Sequence, residues 1–139
     1  MTNSEATKTY TGGCHCGAVR FEADLDLSNG GTMCNCTICA KLGGVTTVVK
    51  PSAFRLLAGE DSLSSYTWAT PTSQRRFCKR CGVQCFSKGH VEELGGDFVS
   101  VTLNALDDFD RSTIKVRHWD GLHNNWQAGM RDTPWPVKA

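Results

Sequence analysis

The sequence predicts a mostly β domain, and three observations support this class. Apolar and polar residues alternate with period two at several places, which is typical of strands with one buried face. Residues 45–49 form a run of β-branched side chains, as expected for a buried strand. Apolar residues at helical spacing are scarce. We therefore expect many short strands joined by irregular connections.

The elements follow in order along the chain. Residues 1–8 are polar and predict a flexible N-terminal tail, followed by a single domain over residues 9–139. Strands are expected at residues 19–24, 45–49, 54–58, 64–68, 75–77, 98–103 and 114–119. A short helix is expected after Cys36, with Thr37 near its first position, and a second helical turn around residues 124–129. Pro134 and Pro136 predict an extended end.

Composition limits the classes of function. The chain has 139 residues with 15 Lys and Arg against 14 Asp and Glu. This balance gives no reason to expect nucleic acid or an anionic membrane as partner. Hydrophobic residues make up 40%, but they include eight cysteines, so burial alone would give a weak core. The first residues show no apolar signal segment and no long apolar run follows, so we expect a cytoplasmic protein.

The cysteines carry most of the information. They fall into groups of two, three, two and one: Cys14 and Cys16; Cys34, Cys36 and Cys39; Cys78 and Cys81; and Cys85. C-x-C and C-x-x-C spacings let two sulfurs converge on one ion across a turn. Disulfides between such close neighbours would form strained rings. In a cytoplasmic protein this pattern favours metal binding.

Counting ligands divides the cysteines into two zinc sites. Cys14 and Cys16 with Cys78 and Cys81 would form a closed site of four sulfurs, which is structural and would join the two halves of the chain. The other three would hold a second ion with one position open, as in catalytic zinc sites; these candidate catalytic residues are Cys34, Cys36 and Cys39. The open position would take water or a substrate thiol, which zinc would bind as thiolate.

Two other interpretations of the cysteines stay open at this stage. All seven clustered cysteines would be structural if Cys85 or a histidine completed the second site. A thioredoxin-like redox pair at Cys78 and Cys81 is a weaker alternative, because no βαβ pattern surrounds it.

The same residues resemble a known family. Gly-Cys-His-Cys-Gly-Ala-Val-Arg-Phe at residues 13–21 is similar to the opening of the glutathione-dependent formaldehyde-activating enzymes, grouped with centromere protein V. The cysteine motif at residues 34–39 and the Phe-Cys-x-x-Cys-Gly motif at residues 77–82 resemble that family's second and third clusters. The match extends from about residue 12 to residue 86 and is loose through Trp126.

This resemblance implies a fold, a cofactor and a reaction. It implies a compact Mss4-like fold of short strands held together by zinc, with the same division into structural and catalytic ions. It implies condensation of glutathione with formaldehyde to S-hydroxymethylglutathione, a carbon–sulfur lyase-type reaction, or the handling of a related thiol adduct. Glutathione or another small thiol is then the expected partner.

Two rival functions and several single residues complete the expectations. The rivals are a non-catalytic zinc module that binds a partner, and a methionine sulfoxide reductase-like enzyme, for which Cys85 would be the free catalytic thiol. His123 is the preferred lone histidine for lining a substrate site. Arg75 and Arg76 either pair with glutathione carboxylates or lie on a solvated strand face. Gly43 and Gly44 are expected to leave open space near the second zinc site. The tryptophans are expected to pack in the core or to form a homo-oligomer contact; they are Trp68, Trp119, Trp126 and Trp135.

Overall fold

The alternating pattern at residues 19–24 forms a strand, as do most of the other predicted runs. A computed structural model describes residues 7–68 and 70–137. Its strands are β1 Thr7–Gly13, β2 Arg20–Asp26, β3 Gly31–Cys34, β4 Thr46–Val49, β5 Phe54–Ala58, β6 Leu63–Thr67, β7 Gln74–Cys78, β8 Gln84–Val91, β9 Gly96–Thr102 and β10 Val116–Trp119. The helix α1 is Thr37–Leu42, and short 3-10 turns lie at Pro51–Ala53, Glu60–Ser62, Glu92–Leu94, Leu103–Ala105, Arg111–Thr113 and Trp126–Ala128. The mostly β prediction is confirmed.

The strands form two sheets. A three-stranded sheet has the order β1-β2-β5, and a seven-stranded sheet has the order β10-β3-β4-β9-β8-β7-β6. The pair of β10 and β3 is parallel, while the other neighbours are antiparallel. Consecutive strands β6 to β9 are joined as hairpins, so turns collect at the two ends of this part of the sheet.

The core lies between one face of each sheet. Phe21 of β2 is fully buried and its ring lies 5.3 Å from that of Phe54 in β5. Phe54 in turn lies 4.5 Å from Phe86 of β8, so three aromatic rings connect the two sheets. Val99 and Val101 of β9 are buried on the same side. Because side chains alternate along a strand, the residues between them point to the other face of the seven-stranded sheet.

Three strands were not expected from the sequence. Thr7–Gly13 forms β1, so residues 7 and 8 belong to a strand and not to the expected tail; residues 1–6 lie outside the described residues. The polar segment Gln84–Val91 forms β8, and Gly31–Cys34 forms β3. The predicted helix after Cys36 is confirmed as α1, and a 3-10 turn lies within the second predicted helical segment. In the described part of the chain, no helix has the length and apolar character needed to cross a membrane.

Candidate metal centres and the adjoining cleft

Two hairpin turns bring four cysteines together. Cys14 and Cys16 lie in the turn between β1 and β2, which belong to the three-stranded sheet. Cys78 ends β7 and Cys81 lies in the turn before β8, in the seven-stranded sheet. The four Sγ atoms lie within 4.8 Å of one another. This group, the four-cysteine group, therefore joins the two sheets at the ends of these strands.

The four-cysteine group has the dimensions of a tetrahedral metal site. The Sγ of Cys16 lies 3.6 Å from that of Cys14 and 3.7 Å from that of Cys78. Sulfurs bound at 2.3 Å in a tetrahedron around zinc would lie about 3.8 Å apart. All four thiols are free of disulfide bonds. The donor set and its spacing therefore fit a metal ion such as zinc, with no position left for a further ligand.

Backbone N–H groups donate hydrogen bonds to sulfurs of this group. The amide N–H of Val19 donates to Cys14 Sγ at 3.3 Å, and that of Arg80 donates to Cys78 Sγ at 3.4 Å. The N–H groups of Val83 and Cys16 lower the pKa of Cys81 to about 6. Since a metal binds thiolate and not thiol, these contacts favour metal binding.

The second group consists of Cys34, Cys36 and Cys39, and we call it the three-cysteine group. Cys34 ends β3, Cys36 immediately precedes α1, and Cys39 lies one turn into that helix. Their Sγ atoms lie within 4.8 Å of one another, and all three residues are half-buried. Within residues 7–68 and 70–137, no fourth His, Cys, Asp or Glu ligand atom joins them. The arrangement fits a metal ion with three protein ligands.

Hydrogen bonds among the three thiols shift their pKa values in opposite directions. Hydrogen bonds from Cys34 and Cys39 lower the pKa of the Cys36 thiol. The same proximity to Cys34 and Cys36 raises the pKa of Cys39. The backbone N–H of Cys36 also donates to Cys34 Sγ at 3.4 Å. The group thus holds thiolate character in a partly solvated place, which suits a metal ligand set.

A cleft of about 810 Å³ opens beside the three-cysteine group. It follows the face of the seven-stranded sheet that points away from the core. Its lining residues include Cys34, Cys36 and Cys39, and no Asp or Glu among the described residues lines it. Gly43 and Gly44 lie in its wall, in line with the expectation that they leave space near these cysteines. The four-cysteine group does not line this cleft, although Cys16 is exposed at the surface, so the two groups differ in their access to the cleft.

A loop after β10 closes one side of the three-cysteine group. The buried Asp120 carboxylate accepts from Asn35 Nδ2 at 2.8 Å, and Leu122 N–H donates to Asn35 Oδ1 at 2.9 Å. Burial acts to raise the pKa of Asp120, but hydrogen bonds from Asn35, His123 and Asn125 outweigh it and lower that pKa. These bonds fix Gly121 so close to Cys34 that a Cβ there would lie 2.5 Å from Sγ.

The structure separates the two neighbouring arginines. Arg75 lines the cleft. Arg76 lies on the opposite face of β7, where it lines a smaller cavity with Phe54 and Phe86. The alternation of β7 places the two side chains on opposite faces, and the sequence alone could not tell which arginine faces the cleft. His123 is not among the residues that line the cleft; its Nδ1 lies 2.7 Å from Asp120 Oδ1.

The tryptophans and Cys85 have roles that the structure makes clear. The described core contains none of the four tryptophans, so the expectation that they pack the core is wrong. Trp68, Trp119 and Trp126 line the cleft instead, and the rings of the last two lie 5.6 Å apart. Cys85 is fully buried, and burial raises the pKa of its thiol to about 12. A buried thiol with a raised pKa is an inert core residue.

Comparison with known proteins agrees with this arrangement. The family model for glutathione-dependent formaldehyde-activating enzymes matches residues 9–120, which contain both cysteine groups. The chain belongs to this family. A crystal structure of a Rhodobacter sphaeroides protein is similar to it with a TM-score of 0.65 and 23% sequence identity. That similarity covers 91% of this chain and 99% of the other, and it supports the fold.

Family membership supports a function related to glutathione and formaldehyde in general. The matched residues include the whole of the three-cysteine group and the loop residue Asp120 that fixes Gly121 beside it. The same matched range also contains the whole of the four-cysteine group.

Proposed function

We propose that this protein is a zinc-dependent enzyme that adds the thiol of glutathione to formaldehyde, giving S-hydroxymethylglutathione. The reaction is of the carbon–sulfur lyase type, written in the direction of condensation. The observation that carries the proposal is the difference in access between the two cysteine groups. One set of four sulfurs is complete, and the other set of three opens into a cleft of about 810 Å³.

The four-cysteine group has a structural role in this proposal. Its ligands come from hairpin turns of two different sheets, so an ion there would hold the sheets together. Cys14 and Cys78 are buried, Cys81 is half-buried and Cys16 is exposed, and none of the four lines the cleft. Four sulfur ligands also satisfy the coordination preference of zinc.

The three-cysteine group has the catalytic role. Zinc bound by Cys34, Cys36 and Cys39 would supply a soft Lewis-acid position that binds a thiol and lowers its pKa. The chain's contribution is to hold the three sulfurs at the cleft wall and to keep acidic side chains away from the incoming thiol. Gly121, which packs between Cys34 and the Trp126 ring, leaves no room for a side chain beside Cys34.

The reaction needs few catalytic groups. The sulfur electron pair forms a bond to the carbonyl carbon, and the C=O π pair moves to oxygen. That oxygen takes a proton from solvent, and the thiol has already released its own proton to solvent, so protons balance. No general acid among the described lining residues is required, in agreement with a lining that contains no Asp, Glu or His among them.

A methionine sulfoxide reductase-like activity is disfavoured by the placement of Cys85. It is the cysteine left over once the two groups are formed, and it is fully buried in the core. A nucleophilic cysteine must be accessible as thiolate. A non-catalytic zinc module remains the rival, and it predicts that glutathione leaves the three-cysteine group unchanged.

Exchange of ¹³C-formaldehyde with its glutathione adduct, followed by NMR, tests the proposal. The zinc-loaded protein should accelerate this exchange above the uncatalysed rate, and Cys36→Ser should abolish the acceleration. Cys85→Ala is the matched control, because it also removes one thiol but lies outside both groups. An unaccelerated exchange with wild-type protein, or equal activity in Cys36→Ser, would refute the enzymatic proposal.

A further inference from the structure

A cation faces the cleft without an acidic partner. In the described part of the chain, Arg75 forms no ion pair with Asp or Glu; its Nη1 donates to Ser73 Oγ at 2.8 Å. Its guanidinium carbon lies 5.8 Å from the ring centre of Trp68. Arg55, by contrast, is paired with both Glu22 and Asp24. Arg75 therefore keeps donors free for an anion from outside the chain.

Two hydroxyl side chains lie in the same row as Arg75. The strand register pairs Arg75 of β7 with Ser87 of β8, and Ser87 with Ser100 of β9. Paired residues in adjacent strands share a face, and all three line the cleft. The cleft thus offers a guanidinium and two hydroxyl donors, with no described acidic residue in its lining to compete for them.

This row lies across the sheet from the three-cysteine group. Four strand spacings separate β3, which ends at Cys34, from β7. Four spacings amount to roughly 19 Å, and the side chains of both ends shorten the gap. A thiol on the middle residue of an extended tripeptide lies about two residue lengths, roughly 7 Å, from a terminal carboxylate, so it reaches both ends where the Arg75 side chain and the cysteine sulfurs extend toward each other in the cleft that they line. A small thiol has no anionic group at that distance from its sulfur. A thiol that reaches both ends must therefore be elongated and must carry an anionic group far from its sulfur.

We infer that Arg75, flanked by Ser87 and Ser100, is a carboxylate subsite that selects an elongated anionic thiol. The inference rests on the proposed function and deepens it by naming the residue that sets specificity. A guanidinium binds a carboxylate through two parallel hydrogen bonds, so the subsite selects for the planar geometry of a carboxylate as well as for its negative charge. Arg75 touches the substrate at its carboxylate and takes no part in the bond that forms at sulfur.

Isothermal titration calorimetry of the zinc-loaded full chain with three ligands measures the contribution of each end of the cleft to binding affinity. Glutathione has both the thiol and the carboxylates, S-methylglutathione keeps only the carboxylates, and glutathione diethyl ester keeps only the thiol. Arg75→Gln should weaken binding of the first two by about 10- to 100-fold, the loss typical of a charge-assisted contact. It should leave the affinity for the diester unchanged. Arg75→Lys should give an intermediate loss, because it keeps the charge but not the two-bond geometry.

Lys88→Gln is the matched control for charge. Lys88 follows Ser87 in β8 but lines cavities on the opposite face, so its loss changes the net charge equally without touching the cleft. It should leave all three affinities unchanged. The inference is overturned if Arg75→Gln binds glutathione like wild type, if it weakens the diester equally, or if wild type binds neither carboxylate ligand. If only the proposed function is wrong, Cys36→Ser will bind glutathione like wild type while Arg75→Gln still weakens it.

Discussion

Replacing Gly121 with alanine is expected to remove one metal ion and to spare the other. The added Cβ would lie 2.5 Å from Cys34 Sγ and 3.0 Å from the Trp126 ring. The first distance is roughly 1 Å closer than ordinary contact, whereas ligand distances in a metal site vary by only about 0.2 Å. Asn35 donates to the Asp120 carboxylate and accepts from the Leu122 N–H, and these two bonds hold the loop in place, so the displacement falls on Cys34.

The assay is metal content per chain by elemental mass spectrometry, with circular dichroism as the check on folding. Wild type should carry two ions and Gly121→Ala one, with the β-sheet spectrum retained. Gly44→Ala is the control, because it makes the same chemical change in the same cleft while its Cβ meets Thr102 Cγ2 at an ordinary 3.7 Å. Two ions retained in Gly121→Ala, or both ions lost, would refute the reasoning.

Three further predictions concern stability. Cys78→Ser should fail to fold, whereas Cys36→Ser should keep its β-sheet circular dichroism spectrum. The reason is that binding of a structural zinc contributes about 10 kcal/mol or more, which is comparable to the stability of a whole domain. Identical spectra for the two variants would contradict this prediction. Asn35→Ala should cost about 1–3 kcal/mol in urea unfolding, because it leaves the buried Asp120 short of a donor; an unchanged midpoint would contradict it. Hydrogen bonds to Glu92 and Asp97 raise the pKa of His90, so its stabilisation is complete below about pH 6.5 and fades above it. The melting temperature of wild type relative to His90→Gln should fall as pH rises, and a pH-independent difference would count against this ion pair.

The cysteine groups were predictable because their chemistry is local. Each motif places two or three ligands within one turn, and the number of sulfurs that zinc requires leaves few ways to combine the motifs. Strands with a clean alternation, such as Arg20–Asp26, were predictable for a similar reason: one face is buried and the other is not. In both cases neighbours in sequence carry the signal.

Features that depend on pairing between distant segments were not predictable. In Gln84–Val91, Cys85 and Phe86 are both buried because the ladder with β7 contains an irregularity, so the expected alternation is absent. β1 is an edge strand of the three-stranded sheet, paired with β2 along its length and bridged to Leu106 only at Gly12, and it needs few apolar residues. The cleft row that ends at Arg75 exists only through the register of β7, β8 and β9.

The coordination of the metal by sulfur tests the central claim most directly. X-ray absorption at the zinc edge should give, for the protein with two ions, about 3.5 sulfurs per zinc, the mean of four and three ligands. Glutathione should raise this to about 4, because its sulfur fills the position left by Cys34, Cys36 and Cys39. A value of 4 without glutathione, unchanged when it is added, would mean that both groups are closed and would contradict the account.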